Sequence, residues 1–243
     1  MDAAKTAINR YSADAASELL ARHALFREAS PTLLEGLLKF ASVRHLGANE
    51  EIFAKGDPGN ALSGVLSGRV CIYTISSEGE EAILNILEPG EMFGEIALLD
   101  GGPRTASARA MGGAELLQIH RSHFVRFLQD HPELSLSILP VLCRRIRMNV
   151  EFIEDAAFLH LSARLAKRLL SLAEVYGKPE PRGVTIALKL SQQDLASMIG
   201  ATRERVNKEL ALLRGRSLIA VEDGTITICR PTELRALLTD EIG

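Results

Sequence analysis

Phe93-Gly94-Glu95-Ile96-Ala97-Leu98-Leu99-Asp100-Gly101-Gly102-Pro103-Arg104-Thr105-Ala106-Ser107-Ala108 is the stretch on which the reading of this chain turns. It runs from a Gly turn through a carboxylate and a short apolar helical segment, then returns through Pro-Arg-Thr. A phosphodiester held inside an apolar barrel needs one fixed cation, a hydroxyl and a few free backbone N–H groups. A ribose hydroxyl needs a carboxylate acceptor. Glu95 and Arg104 are close enough in sequence to converge on one small anionic sugar phosphate. The other reading of the same two residues is a buried salt bridge with each other.

Working outward, the segment from about Arg44 to Ile119 alternates short apolar runs with turn residues. Val70-Cys71-Ile72-Tyr73-Thr74-Ile75 and Ala82-Ile83-Leu84-Asn85-Ile86-Leu87 are such runs, and Gly56-Asp57-Pro58-Gly59-Asn60, Gly68, Gly79 and Pro89-Gly90 are among the breaks. Many short strands with turn chemistry between them predict an all-β sandwich or barrel. Before it, Ser30-Pro31 opens a helix with Ser at the cap and Pro in the first turn. The first ~20 residues, Ala-rich and polar, read as a loosely held terminal segment.

Beyond Ile119 the pattern is helical. His131-Pro132-Glu133 resembles a helix start, and Ile138, Leu142, Ile146 and Ile153 recur at helical spacing as one apolar seam. Pro140 predicts a bend or a later start. Such a helix, flanked by Arg144, Arg145 and Arg147, must pack on a twin helix in a dimer or across its own barrel. Leu159 to Tyr176 is a further amphipathic helix, and Gly177-Lys178-Pro179-Glu180-Pro181-Arg182-Gly183 reads as a loop.

The last third carries a second constellation. Ser191 with Asp194 three residues on is a variant of the capping box. The helix it opens ends at Gly200, and a turn through Ala201-Thr202 leads to a second helix running to about Arg214. Two short helices joined by a Gly-containing turn form a helix-turn-helix. An ordinary helical hairpin would not crowd Arg203, Glu204, Arg205, Asn207 and Lys208 onto the start of its second helix, since such groups are unsuited to burial. Leu218 to Glu222 and Thr225 to Cys229, separated by Asp223-Gly224, predict a two-residue hairpin, the wing of a winged helix-turn-helix.

Composition narrows the function. Of 243 residues 47 % are hydrophobic, enough for a sizeable core, and the net charge of −3 argues against indiscriminate coating of nucleic acid. Residues 1–150 hold 15 Lys and Arg against 18 Asp and Glu, and residues 151–243 hold 13 against 13, so the basic stretch around Arg203–Arg216 lies in a neutral setting. Local DNA docking has that distribution. No run approaches the ~20 apolar residues of a membrane span, and Met-Asp-Ala-Ala-Lys-Thr-Ala is no secretion signal, so a cytoplasmic protein with no membrane partner is expected. Cys71, Cys143 and Cys229 are too dispersed for a disulfide framework, zinc or iron–sulfur site and read as mostly buried thiols. A cupin-like metal-dependent enzyme would need clustered ligands, and His23, His45, His131 and His160 are scattered, with only a weak His120-x-x-His123 pair. No metal and no catalytic residues are expected. A third reading has the chain sense haem, iron–sulfur or another metabolite; the missing Cys cluster counts against iron–sulfur and the Glu95–Arg104 pair against the rest.

Phe-Gly-Glu-Ile-Ala-Leu-Leu followed by Pro-Arg-Thr-Ala-Ser resembles the phosphate-binding cassette of cyclic-nucleotide-binding domains, and the C-terminal module resembles the DNA-binding domain of the cyclic-AMP receptor/fumarate-nitrate regulator family. The resemblance runs from about residue 24 to the end. It implies an α+β chain: an N-terminal tail (1–23), a double-stranded β-helix (jelly-roll) cyclic-nucleotide-binding domain (24–130), a long dimerisation helix (131–157) and a winged helix-turn-helix domain (158–243). It implies Glu95 on the ribose 2′-hydroxyl, Arg104 on the cyclic phosphate, and Thr105 with the backbone of Gly94 and Ile96 completing the cradle. By position Arg145 and Asn149 reach the base; Arg145 matches the cyclic-AMP receptors, whereas Asn149-Val150 depart from them, so cAMP is favoured and cGMP stays open. On DNA, Arg203, Glu204 and Lys208 are implied at base edges, with Thr202 and Arg205 on phosphate; Lys208 replaces the Arg common in cyclic-AMP receptors. The implied partners are a second copy of the chain, an inverted-repeat DNA site with TGTGA-like halves, and RNA polymerase as a candidate contact.

Overall fold

In the computed structural model the described residues are 16–21, 23–26, 28–222 and 224–238. The chain divides into two compact units, residues 1–74 with 84–147 and residues 75–83 with 148–243.

The first unit begins with helical backbone at 16–21 (α1), a 3-10 turn at Ala24–Phe26 and α2 (Pro31–Leu38). Ser30 caps α2 by accepting the amide of Leu33, and Pro31 sits in the first turn, where its missing N–H costs nothing. Eight strands follow: β1 (Ala41–Leu46), β2 (Glu51–Phe53), β3 (Ala61–Ser67), β4 (Val70–Ile75), β5 (Glu81–Leu87), β6 (Met92–Phe93), β7 (Ser107–Ala110) and β8 (Ala114–His120), with α3 (Glu95–Asp100) between β6 and β7. They form two four-stranded sheets, ordered β1-β8-β3-β6 and β2-β7-β4-β5, a jelly-roll sandwich. Leu46, Val65, Val70, Leu87, Phe93, Ala108 and Leu116 form one core cluster. A second cluster joins Leu20, Phe26, Leu37, Leu62, Leu117, Ile119, Phe124 and Ile138, so helices cover one sheet. Gly68 shows how tightly a hairpin closes: its φ is +75°, and a Cβ would stand 2.2 Å from the carbonyl of Gly113.

After β8 come α4 (Arg121–Asp130), a 3-10 segment (Pro132–Ser137) and α5 (Ile138–Phe158). Pro132 thus opens a 3-10 turn, and the α-helix proper starts later, which puts Pro140 in its first turn, where no intrahelical N–H bond is lost. The single seam expected along this helix is two faces. Ile138, Val141 and Leu142 pack on the helical core of the first unit. Leu139, Ile146, Val150 and Ile153 are 47–64 % exposed. Cys143 is exposed as well, against the expectation of burial.

The second unit holds α6 (Leu161–Tyr176), β9 (Gly177–Glu180), β10 (Gly183–Ile186), α7 (Gln192–Ile199), α8 (Arg203–Gly215), β11 (Ile219–Glu222), β12 (Thr225–Ile228) and α9 (Pro231–Ala236). Its sheet runs β11-β12-β10-β9. The stretch read as a Pro/Gly loop is therefore the β9–β10 hairpin; Pro179 is tolerated because β9 is an edge strand. A second departure lies at the start of the chain. The stretch read as a tail reaches into the core, with Ala16, Leu19 and Leu20 at most 5 % exposed; residues 1–15 lie outside the described residues.

His23 links this packing to pH. It accepts the amide of Leu25 at Nδ1 (3.3 Å). Burial, reinforced by the positive charges of Arg145 and Arg144, pushes its pKa from the ordinary 6.5 down to about 4. An unfolded chain takes up this proton near 6.5 and the folded chain near 4, so the contribution is complete above pH 6.5 and is lost as pH falls through that window. His23→Gln is expected to lose less stability than the parent between pH 6.5 and about 4, read from urea midpoints across that range.

Candidate functional site

Two places gather the predicted residues, one in each unit. In the first, Gly94 turns the chain out of β6 with φ +84° and caps α3, whose other end is closed by Gly101 at φ +74°. The return loop is pinned to the β2–β3 turn by reciprocal backbone bonds, Arg104 N–H to Asp57 O (2.8 Å) and Gly56 N–H to Arg104 O (2.9 Å). Gly59 lies against α3 so closely that a Cβ would stand 2.4 Å from that of Ala97.

This frame buries Arg104 to 6 % exposure. Its Nη1 donates to Gly94 O (2.9 Å) and its Nη2 to Ala61 O (2.7 Å), while the Phe53 ring lies 4.2 Å beneath the guanidinium carbon. The Nε–H is buried and has no partner. Burial lowers the Arg104 pKa, and the carboxylates of Glu95 and Asp57 oppose that shift. Guanidinium stays charged regardless, so the site holds a fixed cation with a free donor.

Glu95 is 5 % exposed and does not take Arg104 as its partner. Its Oε1 lies 3.2 Å from Nε of Arg145 on α5, and Arg145 Nη2 also donates to Met92 O (3.1 Å). The internal Glu95–Arg104 salt bridge is thus replaced by a different pair, and Gly94, Glu95, Arg104 and Arg145 come together. Ile96 is half-buried in the first turn of α3 and Thr105 is exposed on the return loop; Asn149 falls in the second unit, where it is exposed. Sequence reading missed Phe53 and the Ala61 carbonyl as supports of Arg104. An aromatic shortly before the Gly56 turn was the available signal for the first; nothing marked the second.

In the second unit, Ser191 and Asp194 form a full capping box: Ser191 Oγ accepts from the Asp194 amide (3.0 Å) and Asp194 Oδ2 from the Ser191 amide (2.8 Å). Gly200, at φ +62°, ends α7. Thr202 then caps α8, its Oγ1 accepting the Arg205 amide (3.4 Å), which leaves the hydroxyl proton free. Val206, Leu210 and Leu213 bury the inner face of α8. Thr202, Arg203, Glu204, Arg205 and Lys208 are all exposed. Asn207 and Glu209 are half-buried. Arg164 on α6, not picked out in the sequence, donates to Ile199 O (2.9 Å) and so holds the end of α7.

Among the described residues no group of three or more His, Cys, Asp or Glu converges as metal ligands, and no helix is long and apolar enough to cross a membrane. His120 instead caps α4.

Residues 43–131 match the cyclic nucleotide-binding domain family, and residues 163–237 match the Crp-like helix-turn-helix domain family. The chain is 34 % identical to the CRP-like cAMP-activated global transcriptional regulator of Mycobacterium tuberculosis, over 87 % of this chain and 94 % of that one. It is also 34 % identical to the global nitrogen regulator of a Nostoc species, over 79 % and 86 % of the two chains. Among solved structures, the c-di-GMP-responsive global regulator CLP of Xanthomonas campestris superposes with a TM-score of 0.72 at 25 % identity, covering 82 % of this chain and 99 % of that one.

The packing at Gly94 gives a two-sided test. A Cβ there would stand 2.4 Å from Arg104 Nη1 on a backbone at φ +84°. Gly94→Ala is expected to cost about 2 kcal/mol of stability. Gly36→Ala, on α2 with nothing within 4 Å, is expected to add about 0.5–1 kcal/mol. Urea unfolding of the two variants beside the parent reads both signs.

Proposed function

The chain belongs to the cyclic-AMP receptor/fumarate-nitrate regulator family of transcription regulators, and from that premise we propose that it is a cyclic-nucleotide-responsive homodimer that binds an inverted-repeat DNA site in the cytoplasm, with cAMP as the favoured effector. Its relatives are regulators and not enzymes, which removes the cupin-like reading.

One observation carries the nucleotide part: a guanidinium 6 % exposed, with its Nε–H unpartnered. A buried cation with a spare donor matches a small anion, and a cyclic phosphate is such an anion. Arg104 takes the phosphate, the Gly94 and Ile96 backbone and the Thr105 hydroxyl complete its cradle, and Glu95 accepts from the ribose 2′-hydroxyl. Arg145 and Asn149 serve the base. Asn149 offers a purine edge both donor and acceptor, and this is the feature that keeps cGMP as the second reading. The CLP regulator, responsive to c-di-GMP, is a reminder that one fold serves several signals.

The exposed stripe Leu139, Ile146, Val150 and Ile153 repeats at spacings of seven, four and three residues, which supports a two-stranded helical seam with a second copy. A two-fold dimer presents two α8 helices to successive major grooves, so the site is an inverted repeat, with TGTGA-like halves by family resemblance. Arg203 grips a guanine, Glu204 accepts from a cytosine amino group, and Lys208 supplies charge without Arg's planar fork. Thr202 and Arg205 take phosphate, Thr202 through its free hydroxyl proton. Ligand acts by favouring the dimer arrangement that fits DNA, and RNA polymerase is the further partner this family position suggests.

Calorimetric titration with cAMP and, separately, cGMP tests the effector: one of the two binds the parent, and Arg104→Ala, still a folded dimer by sedimentation, gives no heat. Heat from the variant equal to the parent's overturns the Arg104 assignment. Absence of heat from the folded parent with both nucleotides overturns the effector. For DNA, Arg203→Ala is expected to weaken binding to the preferred site by about 1–3 kcal/mol and to relax choice at one base pair of each half-site. Selection of bound sequences from a random pool by parent and variant reads that change.

A further inference from the structure

The junction between α5 and α6 is only two residues long. Phe158 ends α5 and Leu161 begins α6, leaving Leu159 and His160 as the elbow. His160 occupies the cap position of α6, yet its side chain makes no capping bond. The cap side chain therefore does not fix the elbow, and contacts between the helices on either side bear on its angle.

One contact joins the two helices across the elbow. Asp155, on the last turn of α5, places Oδ1 2.6 Å from Nζ of Lys167 on the second turn of α6. Their side chains are 27 % and 42 % exposed. By comparison Arg182–Glu222, at 3.6 Å, is 80 % and 76 % exposed, and Arg230–Glu233 lies within one turn of α9. Arg168 lies next to Lys167: burial works against its charge, and the Asp155 carboxylate and the Tyr176 phenol work for it. Lys167 thus bonds the α5 carboxylate, and the same carboxylate favours the charge of the neighbouring Arg168. Partial desolvation strengthens this arrangement relative to a surface pair. Helix α6 in turn packs on α7 and α8, with Leu165, Ala166 and Leu169 fully buried.

We propose that Asp155 is a positioning residue, its bond to Lys167 with Arg168 alongside being the strut that fixes the angle between the end of α5 and α6. Because α6 carries the helix-turn-helix, the strut also decides how firmly that module follows α5. That second consequence rests on the nucleotide-gated reading above; the strut itself does not. Asp155 touches neither the predicted base contacts nor the DNA-facing side of α8, so its role is separable from both.

The test uses the full chain. Asp155→Asn removes the charge at constant size, Lys167→Met removes the partner's charge, and Asp155→Glu keeps the pair. Hydrogen exchange without nucleotide reads the junction directly. The Asn and Met variants are expected to exchange about fivefold faster in peptides spanning 155–167 and to stay at the parental rate elsewhere in the second unit, with the Glu variant close to the parent. Nucleotide affinity by calorimetry stays at the parental value, and the nucleotide-dependent gain in DNA affinity falls by a similar factor of about five. Unchanged exchange at 155–167 overturns the strut. Faster exchange throughout the second unit overturns it too, since that marks a general stabilising role. Faster exchange confined to the junction, in a protein whose DNA affinity never depended on nucleotide, upholds the strut and overturns the gating instead.

Discussion

A buried guanidinium with an unused N–H is the constraint on which the first unit depends. Arg104 can sit at 6 % exposure only because two carbonyls, an aromatic face and two nearby carboxylates accept it. Each of these supports comes from a different part of the chain: Ala61 from β3, Phe53 from β2, Gly94 from the turn after β6. A jelly roll delivers them together because its strands connect across two sheets, so residues far apart in sequence meet at one end of the sandwich. One glycine follows from the cation and another from the helix beside it. A side chain at position 94 or 59 would occupy the space that Arg104 or α3 fills.

The second unit is governed by the opposite requirement, which is to keep polar groups out of the core. Helix α8 buries Val206, Leu210 and Leu213 and leaves the charged start of the helix in solvent. The capping box of α7, the left-handed Gly200 and the Thr202 cap satisfy backbone groups at the turn. They leave Arg203, Glu204 and Lys208 free of structural duty. Arg164 contributes by holding the last carbonyl of α7, that of Ile199.

Which features were legible in the sequence follows from how local their causes are. The Ser30 cap, the Ser191–Asp194 box, Gly200 and the two-residue wing turn each depend on residues within a few positions of one another, and the sequence displays them whole. The Phe93–Ala108 cassette is longer but still contiguous. Arg145 as the partner of Glu95 was not legible, because fifty residues separate them and only the fold decides that α5 returns to this end of the sandwich. Helix α5 itself misled for a related reason. Ile138, Leu142, Ile146 and Ile153 share helical spacing, yet spacing cannot tell a face buried by the chain's own core from one left for a partner. The β9–β10 hairpin was hidden by its Pro and Gly content, which signals a loop unless the strand is known to lie on an edge.

Glu95 has two claims on its carboxylate, and this shapes how a ligand could act. In the structure it is satisfied by Arg145 of α5; on the proposed reading it also accepts from a ribose hydroxyl. A carboxylate has lone pairs enough for both, so the two partners need not exclude each other, but each changes what the other gains. A ligand shifts a conformational equilibrium only by the difference in its interaction with the two states. On the proposed reading that difference has a physical address, the Glu95–Arg145 contact, since Arg145 is carried by the helix whose outer face is exposed. The inner face of α5, anchored by Ile138, Val141 and Leu142, fixes one end of the helix. On the proposed reading a ligand acts at Arg145, just beyond the part of α5 that this packing holds.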